Sequence, residues 1–438
     1  GAMTTVAFIT LGCKVNQYDT DVMKTSFLQR GYSFAGASDK ADIYVVNTCT
    51  VTGTAARKSR QMVARARKLN PDALVVVTGC LGQLESEEVL RMTEADIVTG
   101  NVEKSMVVSL VEEYSGSRYS ESEDIFKQDE YIQDFNSTQD ERTRVFIKAQ
   151  DGCNNFCSYC AIPFARGMSR SRKGADVLRE IENYVEKGAS EVVITGIHLD
   201  SYGEDLKDYR LIDLLEDIDG IKGLSRVRLG SLEPGSITRY FVRKASVLGT
   251  LCHHFHLSLQ SGCDETLKRM KRRYTTDEFR SAVELLREYI PDAAITTDVI
   301  VGFPGESDEE FQKTASFVES IGFMKIHVFK FSARKGTLAY GMDGKISGDV
   351  KKHRSEIIAG LSAAGFMNFA KKEIGKHHMV IAEQVSDVLP GYWEGHTGNY
   401  MKTLFKCEEC EAGGIYEVIL EQLGDEFVFS SLHSSTGV

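Results

Sequence analysis

The sequence predicts an α/β protein in three parts: an N-terminal doubly wound parallel sheet (3–115), a central full or partial α/β barrel (140–370) and a small C-terminal antiparallel β-barrel (371–438), with a linker at 116–139. Three observations predict it. The first part alternates short apolar runs with helix-patterned stretches. The middle repeats that rhythm, with polar and glycine-rich signatures where its strands end. The last part switches to apolar–polar alternation between glycine turns.

In the first part Val6–Thr10, Ile43–Asn47 and Leu74–Thr78 read as strands, separated by helical stretches such as Thr20–Arg30 and Thr54–Leu69. The C-terminal ends of parallel strands share one edge, where ligands bind. Cys13, Cys49 and Cys80 fall just past those ends, so three thiols from distant sequence are expected on one rim. Taken singly, each reads first as a small buried hydrophobe. The acidic stretch from Glu112 to Glu141 lacks apolar periodicity and reads as linker. In the middle, "EVVITGIHL", "RVRLGSLEP", "HHFHLSLQSG", "AAITTDVIVGFPGE" and "KIHVFKFSARKGT" are strands of a barrel, whose chemistry lies at the strand C-terminal ends. At the end, "HHMVIAEQV", "GYWEGHTGNYMKTLFKC" and "GGIYEVILEQLGDEFVFSSL" carry the strand alternation of a small barrel.

The 438 residues carry a net charge of −11 and ten cysteines. No apolar run reaches the roughly 18 residues of a membrane span and no secretory leader is visible, so a cytoplasmic protein with no membrane partner is expected. Its thiols should then be reduced and used for metal or catalysis rather than for disulfides. An acidic chain meets RNA only through local patches, here "RKSRQMVARARK" (Arg57–Lys68), "KRMKRR" (Lys268–Arg273) and "KKHR" (Lys351–Arg354), each equally readable as a solvated helix face.

"DGCNNFCSYC" sets Cys153, Cys157 and Cys160 at C-x3-C-x2-C. That is too tight for a disulfide framework, and zinc would want a fourth protein ligand nearby. Three thiolates suit a cubane iron–sulfur cluster with one iron left open. Cys252 and Cys263 fit no such spacing. Cys407 and Cys410 in "CEEC" are half a zinc site with no second pair near, and read as a bare turn.

With Tyr159 before its last cysteine, this loop resembles the radical SAM signature, in which the open iron binds S-adenosylmethionine and an electron splits it to a 5′-deoxyadenosyl radical. "LGCKVNQYDT", "VVNTCTVT", "VTGCLGQ", "FARGMSRSR", "TGIHLDSYG", "SLQSGCDETLKRMKRRY", "DVIVGFPGE" and "GHTGNY" extend the resemblance, in order and over the whole chain, to the radical SAM methylthiotransferases, which end in an RNA-gripping TRAM domain. The resemblance implies that Cys13, Cys49 and Cys80 hold a second 4Fe–4S cluster, which carries the sulfur to be inserted. It implies methionyl-amine contacts at Thr195 and Gly196, ribose or carboxylate contacts at Ser231, Glu233, Gln260 and Ser261, and an adenine-backing strand at Val299–Gly302. Arg166, Arg170 and Arg172 are expected either to hold phosphate or carboxylate or to pair on the surface, and His198 to be structural.

Within that family "GCKVN" and "GIHLD" before "SYG" resemble the MtaB-type branch, which acts on N6-threonylcarbamoyladenosine at position 37 of tRNA. The other branches typically read "GCQMN" (isopentenyladenosine in tRNA) and "GCPKN" (an aspartate of a ribosomal protein). The C-terminal part opposes five Lys/Arg to eleven Asp/Glu from residue 371, which favours a basic protein partner over RNA. The implied partners are a tRNA anticodon stem-loop with its base splayed between core and TRAM-like barrel, an electron donor such as flavodoxin or ferredoxin, and a sulfur donor. From another class, a non-catalytic iron–sulfur RNA-binding protein would need no SAM pocket, and the motifs past Cys160 speak against it.

Overall fold

Residues 4–50, 53–131, 143–387 and 389–434 are described by a computed structural model. The N-terminal sheet has six parallel strands: β1 (Thr5–Thr10), β2 (Ser33–Ala35), β3 (Ile43–Thr48), β4 (Leu74–Gly79), β5 (Ile97–Thr99) and β6 (Tyr119–Glu121), in the spatial order β2-β1-β3-β4-β5-β6. Val45, Val46, Val75, Val76 and Val77 are fully buried because helices cover both faces. β6 lies inside the stretch expected to be linker. Alternation over three residues is too short to register as a period, yet Tyr119, Ser120 and Glu121 pair with Ile97, Val98 and Thr99. A short helical turn follows at Ile125–Lys127, and residues 132–139 of the expected linker lie outside the described residues.

The core carries β7 (Arg144–Asp151), β8 (Arg170–Ser171), β9 (Glu191–Gly196), β10 (Arg226–Leu229), β11 (His254–His256), β12 (Ala294–Val301) and β13 (Lys325–Lys330). Apart from the short antiparallel β8, they run parallel in two sheets, β10-β9-β7-β8 and β11-β12-β13. Parallel bridges at Val227–Leu251 and Leu232–Leu257 join the sheets beside β10 and β11. The result is a partial barrel of six parallel strands, open between β7 and β13. Val145, Ile147, Val192, Ile194, Val227, Leu229, Phe255 and Ile295 point outward and pack under the helices as the largest apolar core. Residues of opposite parity (Arg144, Lys148, Glu191, Arg228, His254, His256, Thr296, Asp298, His327) face inward. A mostly polar inner wall, with Phe146 among its residues, makes the barrel interior a binding space.

Glu191 organises the floor of that interior. Its carboxylate takes Arg144 Nε at 2.6 Å and Arg228 Nε at 3.0 Å, with Arg226 at 3.8 Å. Burial opposes its charge, but Arg228 and Arg144 outweigh burial and bring its pKa down to about 2. A depressed carboxylate stabilises the fold above its unfolded value, and that stability is lost as pH falls through the folded value. The expected result is a loss of up to about 3 kcal/mol between pH 5 and pH 2 that is absent from Glu191→Gln, measured by urea unfolding across pH.

The C-terminal unit is a closed barrel of β14 (His377–Val385), β15 (Tyr392–Thr397), β16 (Lys402–Lys406), β17 (Ile415–Leu423) and β18 (Val428–Ser434), in the order β14-β15-β16-β18-β17. Its pairs are antiparallel except β16–β18. It docks on the N-terminal ends of the core strands. Arg226 donates to Met379 O and His396 O, and Asn399 Nδ2 to Asp292 O. Tyr400, in the "GHTGNY" turn, stacks between His254 (4.6 Å) and His396 (4.7 Å) under the Arg228 guanidinium. That turn plugs the barrel floor, the end opposite the cysteine loop, so a base at the cysteine rim is not sandwiched between core and C-terminal barrel. A second correction concerns Cys407 and Cys410. The "CEEC" turn brings their Cα atoms to 5.7 Å, inside bridging range, and the pair is disulfide-bonded.

Candidate functional site

Two cysteine sets meet where the N-terminal sheet edge faces the open core barrel. Cys13 precedes the helix Lys14–Gln29, Cys49 follows β3 and Cys80 begins the helix Cys80–Met92 after β4. β1, β3 and β4 are neighbours with Thr10, Asn47 and Thr78 in register. Parallel strands about 4.8 Å apart therefore deliver the three thiols to one rim. Glycine precedes two of them for a steric reason. A Cβ on Gly12 (φ +100°) would lie 2.6 Å from Cys49 Sγ, and one on Gly79 (φ +92°) would lie 2.6 Å from Thr48 O. Asn16 locks the rim: its amide donates to Leu11 O (2.6 Å), Asn47 O (3.3 Å) and Thr48 O (3.2 Å), while Asn47 Nδ2 returns a bond to Asn16 O.

Gly12→Ala is expected to push Cys49 aside and to cost at least about 1 kcal/mol, because alanine is strained at positive φ. Iron bound after anaerobic reconstitution should fall in this variant, with the Cys153 loop unaffected. Iron unchanged from wild type would contradict the role given to this close approach.

The loop Gly152–Cys160 follows β7. Cys153 N donates to Gly167 O (3.0 Å), Ser158 N to Met270 O (3.0 Å) and Ser158 Oγ to Arg269 O (2.7 Å). Gly152 has φ +74°, and a Cβ there would meet Met168 O at 2.0 Å. Gln150 ties the loop to the end of β9: its amide donates to Gly152 O (2.7 Å) and its oxygen accepts from His198 N (2.8 Å). Burial pushes the Cys153 thiol up to about 11 and Cys160 up to about 12, the latter with help from Cys157. Left alone, these thiols stay protonated; a cationic iron core would draw out the thiolates.

The two sets share a chamber. Asn101 Nδ2 lies 3.7 Å from Cys80 Sγ and donates to Ala165 O (2.6 Å), in the helix Ile162–Arg166 that follows the loop. Arg334, buried just after β13, lies within electrostatic reach of both sets. Burial lowers its pKa, against the pull of Cys49, Cys160, Glu85 and Cys80, and its Nη2 has no hydrogen-bond partner. An orphaned guanidinium nitrogen within reach of two thiol sets fits groups that carry negative charge once the thiols are metallated. The donor chemistry and the glycine cradles therefore suit two iron–sulfur clusters.

The expected SAM residues divide. Glu233 Oε1 accepts from Asn155 Nδ2 (3.0 Å) and Arg272 Nη2 (2.7 Å), with His198 Nε2 at 3.6 Å. Arg272 Nη1 also reaches Cys157 Sγ at 3.1 Å, joining the loop to Glu233. Burial raises the Asp200 carboxyl to about 7, and Glu233 adds to the shift. Burial works against protonation of His198, but the hydrogen bond and charge of Glu233 together with the charge of Asp200 outweigh it and raise the imidazole pKa. Gln260 (φ +68°) lines a cavity of about 200 Å³ with Tyr159, Cys160, Asp298 and Ile300. Thr195 and Gly196 end β9 beside Gln150, and Ser231 is exposed after β10. Ser261 is not brought to this space. It is fully buried, 3.2 Å from the Thr314 hydroxyl under the outer helices. Val299 likewise faces the outer core.

Two of the three arginines after the loop are structural. Arg166 binds Asp19 and Asp151, and Arg172 binds Glu180. Arg170 is buried, donates to Arg166 O and leaves Nε and Nη1 without partners. Asp19 is the hub between the N-terminal domain and the core: Lys148 lies at 2.6 Å, Lys104 at 2.8 Å and Arg166 at 3.0 Å. Of the basic runs, Arg269 is bidentate with Glu310 and Arg354 is buried on Glu306. Arg57, Lys58, Arg65, Lys68, Lys268, Lys271 and Arg273 are exposed. Sequence reasoning missed Arg272, Asn16, Asp19 and Arg334; the Asn common to "GCKVN" and "VVNTC" was the one available signal.

A partial barrel with a three-thiol loop after its first strand defines a radical SAM protein, and residues 147–318 match the radical SAM superfamily while 5–100 match the uncharacterized protein family UPF0004. The chain is 38% identical to the threonylcarbamoyladenosine tRNA methylthiotransferase MtaB of Bacillus subtilis, over 96% of this chain and 95% of that one. It is 40% identical to the Aquifex aeolicus protein of the same name (85% and 91% covered), and 34% identical to the tRNA-2-methylthio-N(6)-dimethylallyladenosine synthase of Syntrophus aciditrophicus (86% and 83%). Among solved structures, the radical S-adenosylmethionine methyltransferase TsrM from Kitasatospora setae shares the fold, with a TM-score of 0.59 at 16% identity over 77% of each chain. The chain belongs to the radical SAM methylthiotransferase family, with the MtaB-type enzymes. It is therefore a radical SAM enzyme whose cofactors are S-adenosylmethionine and 4Fe–4S clusters. Among the described residues no helix is long and apolar enough to cross a membrane.

Proposed function

We propose that the chain methylthiolates carbon-2 of N6-threonylcarbamoyladenosine at position 37 of tRNA, with Cys153, Cys157 and Cys160 holding one 4Fe–4S cluster and Cys13, Cys49 and Cys80 the other. The observation that carries this reading is the shared chamber: Asn101 touches both the rim of one set and the helix following the other, and Arg334 is within electrostatic reach of both. No side chain is basic enough to deprotonate carbon-2 of adenine, so the bound clusters and S-adenosylmethionine supply the radical and the sulfur.

The chain itself binds and orients. Glu233, held by Asn155 and Arg272, offers a carboxylate to the ribose hydroxyls or methionyl amine of SAM. Thr195, Gly196, Ser231 and Gln260 complete that contact set. A base must leave the anticodon-loop stack to enter the chamber. The exposed cations Lys268, Lys271 and Arg273, next to the loop, and those of the helix Gly53–Leu69 would take the phosphates of the stem-loop, so binding should weaken steeply with salt. The reading includes a cytoplasmic setting, an electron donor of flavodoxin or ferredoxin type and a separate sulfur donor.

The test offers the reconstituted enzyme three substrates: tRNA carrying threonylcarbamoyladenosine, tRNA carrying isopentenyladenosine, and a ribosomal protein. Nucleoside and peptide mass spectrometry should find product on the first alone. Product only on the second or third would overturn the reading.

A further inference from the structure

Lys14 directly follows Cys13 and opens the helix Lys14–Gln29, which packs against β7 and β9 of the core. Its side chain extends over the inner face of β7, with Nζ 5.6 Å from the Phe146 ring centroid. The side chain is open to solvent yet walled by protein, as befits a residue lining a hollow. Among the described residues its ammonium makes no hydrogen bond and no ion pair. The neighbouring guanidinium groups are already matched. Arg144 sits on Glu191 and Glu383, and Arg228 on Glu191. Lys14 is thus a surplus cation inside the barrel, one residue from the cysteine rim.

We propose that Lys14 receives the carboxylate of the substrate's threonylcarbamoyl group and so selects that base. This rests on the function proposed above. Carbon-2, N1 and the N6 substituent of adenine share one edge of the ring. When carbon-2 is held at the Cys13 rim, the N6 substituent extends along the same edge into the hollow that Lys14 lines. A threonylcarbamoyl group ends in a carboxylate, the complement this ammonium lacks. An isopentenyl group brings no charge and would leave the ammonium desolvated against hydrocarbon, which disfavours it.

The test compares wild type, Lys14→Met and Lys14→Arg as reconstituted full-length proteins. Anisotropy titrations use labelled anticodon stem-loops with threonylcarbamoyladenosine, unmodified adenosine or isopentenyladenosine at position 37. Wild type should bind the first loop about tenfold or more tighter than the second. Lys14→Met should erase that preference while leaving the unmodified loop and the iron content unchanged, and Lys14→Arg should restore much of it. Equal weakening of both loops by Lys14→Met would make Lys14 a phosphate contact and overturn the inference, as would an intact preference. Both results leave the proposed function standing if threonylcarbamoyladenosine is still converted. A wild type that prefers the isopentenylated loop would overturn the function as well.

Discussion

Replacing Cys153, Cys157 and Cys160 together by alanine will abolish both 5′-deoxyadenosine formation and methylthio product, a loss of at least about 10³-fold, the scale on which parts acting as a unit fail. The three side chains sit on one strapped loop and can substitute for nothing else. Burial holds Cys153 and Cys160 protonated near neutral pH, so without a metal they are poor nucleophiles. Replacing Cys13, Cys49 and Cys80 should behave differently. Product should vanish while some 5′-deoxyadenosine formation persists, because Gly167, Met270, Arg269 and Gln150 hold the other loop from within the core. Product unchanged after Cys80→Ala would contradict that division.

Asp19→Asn should produce the largest loss of stability from one substitution, about 3–5 kcal/mol, because it leaves Lys104, Lys148 and Arg166 buried without their shared counter-charge. Burial opposes the Asp19 charge, but the three cations outweigh it and hold the carboxyl well below the usual carboxylate range. Its contribution is therefore present above its unfolded pKa, near 4, and is lost only as pH falls far below that. Urea unfolding should show the full deficit of the variant at pH 7 and keep it down to about pH 4. Adding Lys148→Met should recover part of it, since one stranded charge is removed; a double variant no better than the single one would show that the deficit does not come from a stranded Lys148 charge.

The elements closest to the chemistry were legible because they are local. Three apolar runs each ended near a cysteine, and parallel-sheet geometry alone then put Cys13, Cys49 and Cys80 on one edge. The C-x3-C-x2-C loop was legible from spacing. What stayed hidden depends on contacts between distant residues. Asp19 meets Lys148 from 129 positions away, and nothing in "NQYDTD" marks one aspartate as the hub. Arg272 lies in a basic run that reads as a solvated face, yet the turn after the helix Asp264–Arg269 directs it to Cys157 and Glu233. Ser261 beside Gln260 reads as a second contact, but Gln260 takes positive φ and the two side chains diverge, one into the cavity and one under the helices. β6 was too short to show a period, and the Cys407–Cys410 bridge follows from turn geometry rather than from the chain-wide cysteine pattern.

The most direct test of two thiol sets serving one chamber is the iron content of anaerobically reconstituted protein. Wild type should bind about eight irons per chain, and the triple alanine variant of either set about four, by the count for two cubane clusters. A wild-type value near four, or a triple variant that keeps the wild-type content, would contradict the account.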